Sequence, residues 1–169
     1  VYNAVTSAID TENKALFNNA LKMAKKADIT HKKEFIYQVE LAYYQATSDL
    51  HNFARITRKF MEENESSDPV FLHRKAWELE RLSEKKRNLK VAKNWVEKSI
   101  NLESNYYNNT TYARILYRLG EMDMAKTVLQ KAISMAQKHG IDYTDALQLL
   151  DQMNERYENR HGAVVYMQI

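Results

Sequence analysis

The chain has 169 residues, enough for one ordinary domain, with a formal net charge of +3 and a sequence pI near 8.9. Three glycines and one proline are too few for the turns of a sheet protein, and the lack of cysteine removes a disulfide framework, a thiol nucleophile and Cys-ligated zinc. The mild charge admits anionic partners without requiring them, and no apolar run is long enough to span a bilayer.

Val1 is not an initiator methionine, and Val1 to Asp10 lack the basic-then-apolar layout of a signal peptide. A processed protein or an excised domain is therefore expected. Periodicity predicts a first helix over about 10–27, with Leu16, Ala20, Met23, Ala24 and Ala27 on one stripe. Thr30 is positioned to cap a second helix whose apolar face is Phe35, Val39, Ala42, Tyr43 and Ala46. Thr47-Ser48-Asp49 reads as a short turn with a cap oxygen for a third helix carrying Phe53, Ile56, Phe60 and Met61. Asp68-Pro69 is the clearest start signal in the chain. The carboxylate can accept free amides, and proline at the first helical position gives up a donor that had no partner.

A fourth helix follows with Leu72, Ala76, Leu79 and Leu82, and a fifth with Leu89, Ala92, Val96, Ser99 and Ile100. Asn105 to Asn109 turns the chain into a sixth helix, which ends at Gly120. The seventh carries Met124, Val128, Leu129, Ile133 and Met135, and Gly140 is placed to close it in the left-handed conformation. Asp142 caps an eighth, over about 142–158, with Ala146, Leu149, Leu150 and Met153. The tail, 159–169, holds Val164-Val165 and is expected to be a docked or frayed terminus or a short strand.

The register repeats about every 34 residues. Ala113 lies seven before Gly120, with Ala125 five after it and Ala132 twelve after it. Set around Asp49, the same offsets give Ala42, Ala54 and Met61. A middle unit pairs Ala76, Leu79 and Leu82 with Ala92, Ser99 and Ile100 across a longer basic turn, Ser83 to Asn88. Small residues at such spacings let two helices approach closely. The pattern resembles the tetratricopeptide repeat over roughly 35–138, with Asn109 where that repeat favours Trp and Gln137 where it favours Pro. The resemblance implies an all-α fold: a right-handed α-α superhelix of about eight helices in antiparallel hairpins. It would form one domain, 1–169, with repeat units at about 35–68, 69–105 and 106–139.

The run Tyr106-Tyr107-Asn108-Asn109-Thr110-Thr111-Tyr112-Ala113, with Leu116-Tyr117-Arg118-Leu119-Gly120 and Lys131 to Tyr143, is similar to the helical tail of some bacterial thioredoxin-like proteins. That likeness implies an accessory domain beside a redox domain and a periplasmic setting. Without it a cytoplasmic setting is expected.

No catalytic or metal constellation emerges. His31, His51, His73, His139 and His161 lack metal spacing, and Glu62-Glu63-Asn64-Glu65 lacks the alternating ligands of a calcium loop. The glycines are isolated and there is no nucleophile elbow. Asn108-Asn109-Thr110 fits a glycosylation acceptor in a eukaryotic secretory setting. No enzyme activity, cofactor or metal is expected.

Basic clusters at Lys22, Lys25, Lys26, Lys32, Lys33 and at Lys85, Lys86, Arg87, Lys90, Lys93 read as solvated faces, because acidic residues intersperse them. The first helices of successive hairpins should line a groove, offering Val39, Tyr43 and Ala46, then His73, Trp77 and Glu80, then Thr110, Arg114 and Tyr117. Tyr, Trp and Arg are the types that anchor binding hot spots. Tyr43, His73, Trp77, Arg114 and Tyr117 are therefore the candidate groove for a protein or peptide partner. The alternative is that Trp77 and Tyr117 pack between hairpins, and the exposure of Trp77 separates the two. The expected role is a non-catalytic protein-interaction or scaffolding module of a larger protein. Its alternatives are a structural or oligomerising domain attached to a thioredoxin-like domain, or a nucleic-acid-binding helical repeat.

Overall fold

The computed structural model describes residues 2–28 and 30–165, with side chains described from 3 to 156 apart from residue 29. The described residues form helices only: α1 (Tyr2–Asp10), α2 (Lys14–Lys26), α3 (Lys32–Ala46), α4 (Leu50–Glu63), α5 (Pro69–Leu82), α6 (Lys86–Leu102), α7 (Tyr106–Leu119), α8 (Met122–His139) and α9 (Thr144–Val165). They gather into two compact units, residues 1–65 and 66–169.

In each unit consecutive helices pack on one another, and alternate helices touch as well. In the first unit α1 meets α3. In the second, α5 meets α7 and α7 meets α9, while α6 and α8 make no comparable contact. Contact among the odd-numbered helices puts α5, α7 and α9 together on one side of the second unit. The packing is repeat-like, as the small-residue spacing predicts.

The hairpin turns explain the repeat. Gly120 has φ 90°, its amide donates to the Tyr117 carbonyl, and the next amide, of Glu121, reaches back to the Leu116 carbonyl at 2.9 Å. That pair of bonds is a Schellman closure, and it needs a left-handed residue. Gly140 closes α8 in the same way, with Ile141 bonded to the Ala136 carbonyl. In the first unit the closing residues are not glycines. Glu12 (φ 49°) and Ser48 (φ 53°) take the left-handed position, with Asn13 bonded to Ala8 and Asp49 to Tyr44.

This corrects two expectations. The predicted first helix is α2, and an unpredicted helix, α1, precedes it across a turn at Glu12 that no glycine announces. The turn position in the next hairpin is Ser48 and not Asp49, a one-residue slip. From Ser48 the offsets fall on Leu41, Phe53 and Phe60, all buried; those from Asp49 fall on buried Ala54 and Met61 but on exposed Ala42. From Glu12 they fall on Val5, Phe17 and Ala24, also buried. Ala113, Ala125 and Ala132 are all fully buried, as expected.

The two cores differ accordingly. Aromatic rings fill the first: Phe17 stacks on Tyr43 at 3.7 Å between centroids, with Tyr44 edge-on to both. Tyr37 meets Phe60 edge-on and donates its hydroxyl to Glu63, which Lys33 also contacts. Burial and the neighbouring carboxylates push the Tyr37 hydroxyl up to about 12. The second core is aliphatic, centred on Leu79, Leu89, Val96, Ile115, Leu116, Leu129 and Met153.

Asp49, Asp68 and Asp142 accept from backbone amides at their helix starts, and Pro69 opens α5. Thr30 does not cap α3. His31 stands there instead, in the left-handed region and without a side-chain cap bond. The last helix is longer than expected and continues through 165, so the predicted irregular tail begins as helix; 166–169 lie outside the described residues.

Candidate functional site

One side of the second unit is built from α5, α7 and the start of α9. Asp68 fixes the start of α5 by accepting from Val70 and Phe71. His73, Trp77 and Glu80 then recur on one face of that helix. Asn105 fixes α7 through a reciprocal capping box with Asn108. Behind the box lies a buried polar clamp. Asn108 donates to Ser99 and to the Glu103 carbonyl, and Ser99 donates to the Pro69 carbonyl at 2.8 Å. These bonds tie α7 to α6 and to the first residue of α5. Asn108 is 0% exposed and Asn109 is buried beside it, so neither amide can carry a glycan; the acceptor reading of Asn108-Asn109-Thr110 is withdrawn.

Two adjoining clefts open on this side. The first, about 290 Å³, is lined by His73 and Trp77 from α5, Tyr106, Tyr107, Thr110, Thr111 and Arg114 from α7, and Asp142 and Asp145 from the α9 start. The second, about 340 Å³, is lined by Glu80, by Arg114, Tyr117 and Arg118, and by Asp145, Gln148, Leu149 and Gln152 of α9. Arg114 and Asp145 border both.

Trp77 is 38% exposed, and the Arg81 guanidinium lies 4.6 Å from its ring centroid. The arginine covers part of the indole and leaves part of it to the cleft. Tyr107 is 56% exposed and rests edge-on against buried Tyr106. His73 shares a 2.9 Å hydrogen bond with Thr111, and burial holds its imidazole below the usual histidine range. The Asp142 carboxyl accepts from the Thr144 amide and hydroxyl, which hold it below the usual carboxylate range. Arg114 has no hydrogen-bond or ion-pair partner among the described residues. Tyr117 is half-buried beneath the Arg156 guanidinium.

Of the predicted groove residues, His73, Trp77 and Arg114 meet in the first cleft, and Tyr117 joins Arg114 in the second. Tyr43 does not belong with them. It is 4% exposed within the first unit and is stacked on Phe17. Its expected groove position followed from the one-residue slip in the turn. The contributions of Tyr107, Arg118, Asp145, Gln148 and Gln152 were missed. Tyr107 stands seven residues before Arg114 and could have been placed on the same α7 face. The α9 residues gave no such signal, because only the packing of α9 on α7 brings them there.

Arg118 and Glu80 form the wall between α5 and α7. Arg118 donates to the Glu80 carbonyl, to Glu80 Oε1 at 2.9 Å and to the Ser83 carbonyl at 2.7 Å, and Glu84 lies within 3.3 Å. Among the described residues no three His, Asp or Glu side chains are grouped to hold a metal ion, and no helix is long and apolar enough to cross a membrane. The basic clusters lie elsewhere: Lys93 pairs with Glu121, and Lys33 with Glu63. No family model, curated protein or solved structure matches the chain.

Proposed function

We propose that the second unit is a non-catalytic protein-interaction module, the accessory helical part of a larger tetratricopeptide-like protein, and that it holds an extended peptide segment along α5, α7 and α9. One observation carries this reading. An exposed indole and a guanidinium without a partner, Trp77 and Arg114, open onto the same cleft from different helices. Such residues anchor interfaces because they bury large area and satisfy backbone carbonyls at once. The two clefts share Arg114 and Asp145 and draw their walls from three helices, which suits a chain more than a compact metabolite.

Selection from a displayed random-peptide library tests it. The parent chain should enrich a peptide family that a Trp77→Ala, Arg114→Glu double variant, still helical by circular dichroism, does not hold. Enrichment by both to the same degree would move the site. No enrichment by the parent would remove the reading and leave a structural role.

A further inference from the structure

We infer that the second cleft receives the side-chain ammonium of a lysine in the bound peptide, with Glu80 as its acceptor; this rests on the peptide-binding reading above. Glu80 lines the cleft, is 3% exposed, and has a carboxylate that is only half used. Arg118 takes Oε1, while Oε2 is buried with no hydrogen-bond partner. A buried carboxylate oxygen without a donor is costly, and a donor arriving through the cleft relieves that cost.

The sign of the occupant follows from the open acceptor, since the charged side chains lining the cleft balance: Glu80 and Asp145 against Arg114 and Arg118. Arg118 is shared between Glu80 and the exposed Glu84, so it does not answer the second oxygen of Glu80. Arg114 and Asp145, which both border the cleft, offset one another. At Glu80 Oε2 itself a ligand carboxylate would face an acceptor, whereas a cation there fills an open one, leaving Arg114 to the backbone carbonyls of the peptide. The type of cation follows from geometry. With Oε1 already held by a guanidinium, only one oxygen is open. A planar fork needs two acceptors, while an ammonium is a point charge that can use one and turn its other donors to Asp145 or to the Gln148 and Gln152 carbonyls. The Tyr117 ring already carries Arg156, so the carboxylate and not the ring is the receptor.

Three sets of acetylated, amidated pentapeptides with random flanks and a central lysine, norleucine or glutamate test the inference, read by amide NMR shifts of the full chain. The lysine set should bind about ten-fold tighter than the norleucine set and move the Gln148 and Gln152 side-chain signals, with glutamate weakest. Glu80→Gln should erase the lysine preference. Asp145→Asn, at an exposed position, should reduce it and serves as the test if the first variant does not fold. Equal binding of all three sets, with shifts at the Trp77 indole, would overturn the lysine site and keep the peptide reading. No shifts with any set would overturn both.

Discussion

Arg118 of α7 holds Glu80 of α5 by its backbone carbonyl and its carboxylate together, and holds Ser83 at the end of the same helix. One side chain thus closes the carbonyl end of α5 and fixes its distance from α7. Arg118→Met leaves a buried carboxylate without its counter-charge, and the expected loss is about 3 kcal/mol in urea unfolding. Replacing both, Arg118→Met with Glu80→Met, should recover much of that loss, because no lone charge remains. A double variant no more stable than the single one would show that the carbonyl bonds, and not the charge pair, carry the effect.

Ser48 and Gly120 occupy equivalent turns with different backbone costs. An L-residue in the left-handed region costs about 1–2 kcal/mol, partly offset by the extra freedom that glycine has when unfolded. Ser48→Gly should therefore raise stability by about 0.5–1 kcal/mol, seen as a few degrees in the thermal midpoint. Nothing lies within 4 Å of a Cβ added at Gly120, so Gly120→Ala should lose about 1 kcal/mol through φ alone, and Gly120→Asn less.

The clamp around Asn108 joins three helices with polar groups hidden from water. Asn108→Leu leaves Ser99 and the Glu103 carbonyl short of partners and breaks the α7 cap, at a cost of about 2–4 kcal/mol by denaturant titration. Secretion from a eukaryotic cell should add no glycan at Asn108 or Asn109, which intact-mass measurement reads directly.

His73 gives the second unit a pH dependence. Its folded pKa is depressed by burial, so below about 6.5 the unfolded chain binds more protons than the folded one. Its contribution to stability is complete above that pH and falls as pH drops toward the folded value. The thermal midpoint should fall between pH 7.5 and pH 5.5, and His73→Gln should flatten that fall. The imidazole faces Thr111, Trp77 and Arg114 with Asp142 and Asp145 across the cleft, so a peptide bound there should also shift the His73 titration measured by NMR.

Local chemistry made much of this protein legible from residue order. The proline at 69, the cap carboxylates at 49, 68 and 142, and the glycines at 120 and 140 each act through neighbours within a few residues. Their helix ends were readable for that reason. The all-helical class and the close approach at Ala113, Ala125 and Ala132 followed from composition and spacing, since small residues at that period have few other uses.

What the residue order left open is what depends on distant chain. Glu12 and Ser48 turn without glycine because hairpin packing compensates for their strain, so the extra N-terminal helix and the true register were hidden. That slip put Tyr43 in a groove when its ring belongs to an aromatic core. His73, Trp77 and Arg114 share a cleft because α5 lies against α7, and Asp145 and Gln148 join them because α9 packs on α7 in turn. The unfilled oxygen of Glu80 exists only because Arg118, 38 residues along the chain, takes the other one. Capping and periodicity are settled within one or two helical turns; shared clefts and buried partners are settled by packing between helices far apart in sequence.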